Sequence, residues 1–288
     1  MRALAPRGTG LVLVAPALVV LATVTAFPAL WVVWLSLQRR VPIFGIAEFE
    51  GLRNYVYLAA DPRFWSAARV TLIFTVVSVG LELVLGLMVA LALAGQRRGL
   101  RAGIALLLLA WALPAVVTAK LFEWLYNPAA GLVNYLLGGA RLNWLGDPTL
   151  ALPGLIFADV WRTMPFVALL CLARLRGIPA EVYEAAHVDG AGPVATLLRI
   201  TLPLCRQILL IAVLFRTLDA LRAFDLMFIL TGGGPAGTTE TFTVYAYRSL
   251  LQTLHLGLGS AIGVIVFALV MLVAWGYLRA LGREGIAA

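Results

Sequence analysis

The residues able to do chemistry are few, and most of them sit where a charge is hardest to keep. One long apolar run carries Arg216, Asp219, Arg222 and Asp225 at three-residue steps. A charge at the centre of a membrane helix costs about 2.5–3.5 kcal/mol, whereas a leucine returns only about 0.3–0.6 kcal/mol. Four such charges offset most of the run's apolar gain, so they cannot face lipid. At that spacing neighbours can pair along one side of a helix. Two readings follow: an ion ladder that holds a bundle together, or the polar wall of a solute path near the midplane. The preceding apolar run offers Asp159 and Arg162 one turn apart, then Pro165, which frees a carbonyl and bends a helix. Trp161 and Phe166 beside it can either lie on the apolar face of a sugar or pack as core. Glu82 is the one charge of a third run and reads as a protonated or paired bundle residue.

Other chemistries are absent. His187 and His255 have no metal-ligand spacing, and no His-Glu-x-x-His is present. The single lysine, Lys120, follows Val117-Thr-Ala without a phosphate-cradling loop, so the chain holds no P-loop. There is no nucleophile elbow and no pair of catalytic carboxylates, which leaves an enzyme reading such as an intramembrane transferase without support. Cys171 and Cys205 lie in or beside apolar runs and read as small buried residues, not a disulfide framework. Only 12% of the 288 residues are charged and 62% are hydrophobic, against about 25% charged in a soluble domain. With a mean hydropathy of +0.97, the chain is an integral membrane protein of one bundle. Its net charge of +8 comes almost wholly from arginine and suggests cytoplasmic anchoring in contact with lipid, not nucleic acid.

Six spans are predicted to position these groups, over about 11–37, 70–94, 102–126, 152–173, 204–230 and 258–281. The first begins like a signal peptide, after Arg2 and Arg7, but runs on too long and reads as a retained span kinked at Pro16 and Pro28. Gly86, Ala90 and Ala94 make a small-residue stripe on the second span, and Gly259 and Gly263 a packing signature on the sixth. Pro114 breaks the third. Six spans place both termini on one side, with Arg2, Arg7, Arg97, Arg98, Arg101, Arg174, Arg176, Arg199, Arg206, Arg279 and Arg283. Arg39, Arg40, Arg53, Arg63, Arg69, Lys120, Arg141 and Arg248 fall opposite. The short loop and both termini favour N-in, C-in.

Between the fourth and fifth spans lies a polar interval, 174–203, containing Glu184-Ala-Ala-His-Val-Asp-Gly190 and then Ile200-Thr-Leu-Pro203. Pro179 suits a first helical turn, and Glu181 and Glu184 suit its N-terminal half. Gly190 and Gly192-Pro193 stop it. About ten residues, roughly 15 Å, is marginal alone in water, so the segment must dock on the cytoplasmic ends of its own bundle or on a partner.

Glu184, Ala185, Ala186, Gly190, Ile200, Leu202 and Pro203 fill every fixed position of the EAA loop, and the chain resembles the inner-membrane permease subunits of ABC importers. Trp161-x-x-x-Pro165-Phe166, Phe224-Asp225 and Leu230-Thr-Gly-Gly-Gly-Pro235 narrow the resemblance to carbohydrate permeases of the maltose, trehalose and glycerol-3-phosphate kind. The resemblance implies an all-α, six-helix type I ABC importer permease in the inner membrane of a prokaryote. It implies that Glu184, Ala185, Ala186, Asp189, Gly190 and Pro203 couple to a separate ATP-hydrolysing subunit. By motif alignment the sugar path falls near Arg162, Phe166, Arg216, Asp219 and Ala223, to which the polar-wall reading of the fifth span adds Arg222 and Asp225. It further implies two ATP-binding cassette subunits carrying ATP and Mg, a second homologous permease, and an extracytoplasmic solute-binding protein. The chain itself would bind no cofactor. A di- or oligosaccharide such as trehalose or maltose is the expected cargo, because arginines flanked by carboxylates suit hydroxyl-rich neutral sugars better than phosphate. A glycerol-3-phosphate-type permease and a secondary transporter driven by an ion gradient through Glu82, Asp219 and Asp225 are the alternatives.

Overall fold

The computed structural model describes residues 7–96, 99–139 and 141–284; Arg2, Arg97 and Arg98 of the charge comparison lie outside them. Among the described residues five helices are long and apolar enough to cross a membrane: Val14–Ser36, Pro62–Ala94, Ala151–Arg176, Pro193–Ala220 and Leu256–Arg279. A sixth crossing requires Leu100–Ala112 and Ala115–Leu125 to be one span bent by 96°. The described residues group into two compact units, Met1–Phe64 with Tyr245–Phe267, and Trp65–Val244 with Ala268–Ala288.

In the first unit, α1 (Arg7–Leu21) and α2 (Phe27–Ser36) flank a π-helical turn, Ala22–Ala26. No residue of this span from Val14 to Leu35 is buried within the chain, as suits a helix whose solvent is lipid. The stretch read from sequence as a polar loop instead forms an antiparallel hairpin, β1 (Gln38–Val41) with β2 (Ile46–Phe49), followed by α3 (Arg53–Ala60). Its turn closes on Gly45 at φ 65°, a left-handed conformation that glycine adopts without penalty. Asn54 on α3 donates to the carbonyls of Ser36 and Gln38 at 2.8 and 2.9 Å. The fully buried Ser36 bonds Tyr55. The Tyr245 hydroxyl donates to Asp61 at 2.6 Å, while the Arg63 guanidinium lies 4.4 Å over the same ring. Burial, and then the Asp61 carboxylate, raise that phenol above the ordinary tyrosine range. Tyr245 belongs to α13 (Phe242–Tyr247), which precedes α14 (Leu256–Glu284). A Cβ on Gly259 would fall 2.5 Å from the Leu250 side chain, whereas one on Gly263 meets nothing. Only the first of the two glycines therefore makes a close contact.

The second unit holds α4 (Pro62–Ala94), α5 (Leu100–Ala112), α6 (Ala115–Leu125), α7 (Leu132–Leu136), α8 (Ala151–Arg176), α9 (Ala180–Val188), α10 (Pro193–Thr196), α11 (Leu202–Ala220) and α12 (Asp225–Leu230). At the α5–α6 junction the predicted Pro114 kink is nearly a right angle, because Leu113 and Pro114 are extended, at ψ 130° and 143°. The fifth span is also not one helix: it stops at Ala220 and resumes at Asp225 after a four-residue break. Residues 216–225 therefore do not form a continuous ladder. One apolar cluster, with Phe74, Phe122, Leu155 and Met227, packs α4, α6, α8 and α12. A second, with Ala90, Val167, Cys171 and Cys205, joins α4, α8 and α11. The small-residue stripe lies on this seam. A Cβ on Gly86 would fall 2.8 Å from the Val167 Cβ, and Ala90 and Cys171, one turn further along each helix, are both fully buried.

Candidate functional site

Two groups of residues stand out, both in the second unit. The first is α9. Pro179 caps it, with the extended ψ of 140° that starts a helix, and Glu181 occupies its first turn. The C-terminus closes on Gly190 at φ 74°. The Gly190 amide donates to His187 and the Ala191 amide to Ala186, at 3.1 and 2.9 Å. This is the paired-bond arrangement of a Schellman cap. Val182, Tyr183 and the buried Ala186 face the apolar cluster. Glu181, Glu184, Ala185 and Val188, at steps of three, one and three, share the opposite exposed face. The two alanines of the motif thus do different things: Ala186 seats the helix, and Ala185 leaves room on its outer side. Asp189 is exposed, and its amide donates to the Ala185 carbonyl.

Along the loop, Val188, Val194 and Leu198 are 86%, 69% and 57% exposed. A π-helical turn at Leu197–Thr201 leads without a break into α11, with Pro203 just after it. The Arg174 side chain at the end of α8 donates to the Leu204 carbonyl at 2.9 Å, tying together the two helices on which the loop is strung.

The second group is the charge cluster. Arg216 on α11 is 4% exposed and reaches three carboxylates. Its Nε and Nη2 grip Glu82 on α4 at 2.5 and 2.9 Å, its Nη2 also donates to Asp159 on α8 at 3.2 Å, and its Nη1 donates to Asp219 at 2.5 Å. Thr163 donates to Glu82 at 2.7 Å, and Arg162 to Asp159 at 3.4 Å. Glu82, Asp159 and Arg216 thus form a buried network across three helices, while Asp219 and Arg162 open from it. The Asp219 side chain is 56% exposed and that of Arg162 22%. Arg222 does not continue the ladder. It lies past the end of α11, its Nε donates to the Leu218 carbonyl, and no described carboxylate pairs with it.

Arg162, Arg216, Asp219 and Arg222 form the common wall of two small cavities of about 200 and 210 Å³. Ala223 and Asp225 line one of them, Asp225 from the first turn of α12. The other is bordered by Phe166, Trp111 and Phe215. Phe166 stacks on Trp111 at 6.0 Å between centroids and meets Phe215 edge-on at 6.4 Å. Arg162, Phe166, Asp219, Arg222, Ala223 and Asp225 therefore come together around the cavities, with Arg216 buried behind them. Sequence reasoning missed Trp111, Thr163 and Phe215, which carried no signal beyond their residue types. It also set Glu82 apart from the path, although a lone carboxylate in an apolar run demands a cation somewhere. Among the described residues no cluster of potential metal ligands occurs.

The geometry has counterparts. The chain is 40% identical to the trehalose/maltose transport system permease protein MalF of Thermococcus litoralis, over 94% of this chain and 92% of that one. It is 37% identical to the sulfoquinovosyl glycerol transport system permease protein SmoG of Agrobacterium fabrum, with 96% and 91% covered. It is also 36% identical to the trehalose transport system permease protein SugA of Mycobacterium tuberculosis, with 97% and 90% covered. In fold it superposes on a chain of a bacterial alginate ABC transporter, crystallised with an alginate pentasaccharide-bound periplasmic protein, at a TM-score of 0.81 and 21% identity, over 95% of this chain and 93% of that one. Residues 82–283 match the family described as binding-protein-dependent transport system inner membrane component. The chain, with its exposed loop helix, its multiple membrane helices and its charged cavity wall, belongs to that family of ABC importer permease subunits.

Proposed function

We propose that this subunit passes a neutral di- or oligosaccharide, trehalose or maltose in class, across the inner membrane of a prokaryote by alternating access. One observation carries the reading: the cavity wall sets arginines and carboxylates side by side, next to a row of aromatic rings. Asp159, Asp219 and Asp225 stand against Arg162, Arg216 and Arg222 in the lining, so the wall has no surplus positive charge for a phosphate, sulfonate or uronate. Adjacent donors and acceptors suit sugar hydroxyls, and Phe166, Trp111 and Phe215 offer the apolar surface that a pyranose face packs on. The names of two of the relatives point the same way.

In this reading an extracytoplasmic solute-binding protein delivers the sugar, and a second homologous permease completes the pore. ATP and Mg bind to two partner ATPase subunits. Their closure moves the α9 rod, through Glu184, Ala185 and Val188, with the termini and loop 174–203 on the cytoplasmic side. The test is uptake by the importer reconstituted with these partners, using labelled trehalose, maltose and glycerol-3-phosphate. Vanadate-sensitive uptake of a neutral disaccharide is expected. Uptake confined to glycerol-3-phosphate, or driven by an ion gradient without ATP, would overturn the reading.

A further inference from the structure

We propose that Glu82 is a positioning residue of the sugar path: by gripping one edge of Arg216 it keeps an oxygen of Asp219 turned to the cavity. This rests on the sugar-path reading above. Arg216 has five N–H donors in a fixed fork, and four are committed, two to Glu82, one to Asp159 and one to Asp219. Arg216 is therefore not itself poised to bind a solute. Its Nε–Nη2 edge is held side-on by both oxygens of Glu82, so only Nη1 is directed at Asp219. That bond uses Asp219 Oδ2. No described group bonds Oδ1, although the side chain is more than half exposed and lines both cavities.

Glu82 is itself well held. It is fully buried, and the Thr163 hydroxyl lies 2.7 Å from its Oε1 and 2.6 Å from the Asp159 carbonyl, its one hydrogen shared between the two acceptors. Four residues further along each helix, Gly86 and Val167 touch so closely that no Cβ fits between them. α4 thus presents Glu82 to Arg216 from a seam that cannot drift. Without the Glu82 charge, Nη2 keeps its bond to Asp159 and the guanidinium, no longer held by its Nε edge, is free to turn its Nη1–Nη2 end onto Asp219. Asp219 lies on the same helix at i+3, within reach of a two-pronged grip. Such a grip would occupy both Asp219 oxygens and remove the cavity's acceptor.

The test uses the complete importer in proteoliposomes, with its ATPase subunits, partner permease and binding protein, and radiolabelled trehalose. The readout is sugar moved per ATP hydrolysed. A merely structural defect lowers both together and leaves the ratio unchanged. Asp219→Asn should lower the ratio about tenfold, the effect of one lost hydrogen bond to a charged group. Glu82→Gln should lower it about as much, with ATP hydrolysis retained. Adding Asp219→Asn to Glu82→Gln should lower it by less than about twofold more, because both changes remove the same acceptor. Glu82→Gln with Arg216→Gln should bring the ratio back to within about threefold of the parent, since no arginine remains to seize Asp219. The proposal is overturned if Glu82→Gln keeps the parent ratio, if the double Gln variant is no better than Glu82→Gln alone, or if Glu82→Gln fails to assemble, which would make Glu82 a folding clamp only. A parent importer that moves no neutral disaccharide would sink the sugar reading as well. A parent that moves trehalose while Asp219→Asn leaves the ratio unchanged would sink this proposal alone.

Discussion

Replacing Gly190 by leucine should disconnect ATP hydrolysis from uptake. An ideal Cβ at Gly190 meets nothing within 4 Å, so the penalty is purely one of backbone conformation. At φ 74° a side-chain-bearing residue costs about 1–2 kcal/mol. The alternative, a return to negative φ, breaks the two capping bonds to His187 and Ala186, each worth about 0.5–1.5 kcal/mol. The cheaper route removes about 1–2 kcal/mol from a nine-residue helix that has little stability of its own. The population with an intact last turn, which carries the exposed Val188, should then fall about 5–30-fold. Proteoliposome assays should show uptake down by that factor, with ATP hydrolysis continuing and the subunit inserted at parental level. Gly190→Asn, which tolerates the left-handed region, should lose much less. Parental coupling in Gly190→Leu, or equal loss in Gly190→Asn, would refute the capping argument.

Arg216→Met should abolish accumulation of the assembled subunit, because it strands the fully buried Glu82 carboxylate, whereas Asp159 keeps Arg162, at a cost of about 3–5 kcal/mol; immunoblots of purified complexes report this directly. Gly86→Ala should destabilise the purified complex by about 1–3 kcal/mol through the clash with Val167, and Val167→Ala in the same chain should restore part of the lost Tm. Glu184→Lys reverses charge on the exposed face of α9 and should uncouple hydrolysis from uptake while leaving membrane insertion intact, as read by paired ATPase and uptake measurements. The Tyr245 phenol stays protonated above the pH at which free tyrosine ionises, and the unfolded chain releases that proton first, so its contribution is lost only as pH climbs beyond the tyrosine range. Tyr245→Phe should therefore leave the tyrosinate absorbance unchanged at about pH 11.

The loop helix was the most legible part of the chain, because its ends are written in residue types: proline where an amide is dispensable, glycine where φ turns positive. The apolar spans were legible for the same local reason, as runs with few charges. What stayed hidden depends on partners distant in sequence. Glu82 meets Thr163 and Arg216 across 81 and 134 residues, and no spacing rule links them. The break after Ala220 was also hidden, since Leu221-Arg-Ala-Phe224 contains neither glycine nor proline to mark it. Pro114 announced an interruption but not its angle, which depends on how both half-helices pack. The hairpin at Gln38–Phe49 was obscured by two arginines on one strand and a proline in its turn, a composition that reads as loop. Phe215 and Trp111 looked like any lipid-facing aromatics until Phe166 was found between them.

Along the α4–α8 contact, the Glu82–Thr163 bond and the Gly86–Val167 touch recur at the same four-residue interval on both helices. Two rods meshed like racks of equal pitch cannot creep past each other by a fraction of a tooth: a slide would have to jump a whole helical turn and break the carboxylate's bonds on the way. The pair therefore travels as one piece. Whatever swing opens and shuts the pore has to hinge at weaker places, of which the elbow at Pro114 and the gap between Ala220 and Asp225 are the nearest.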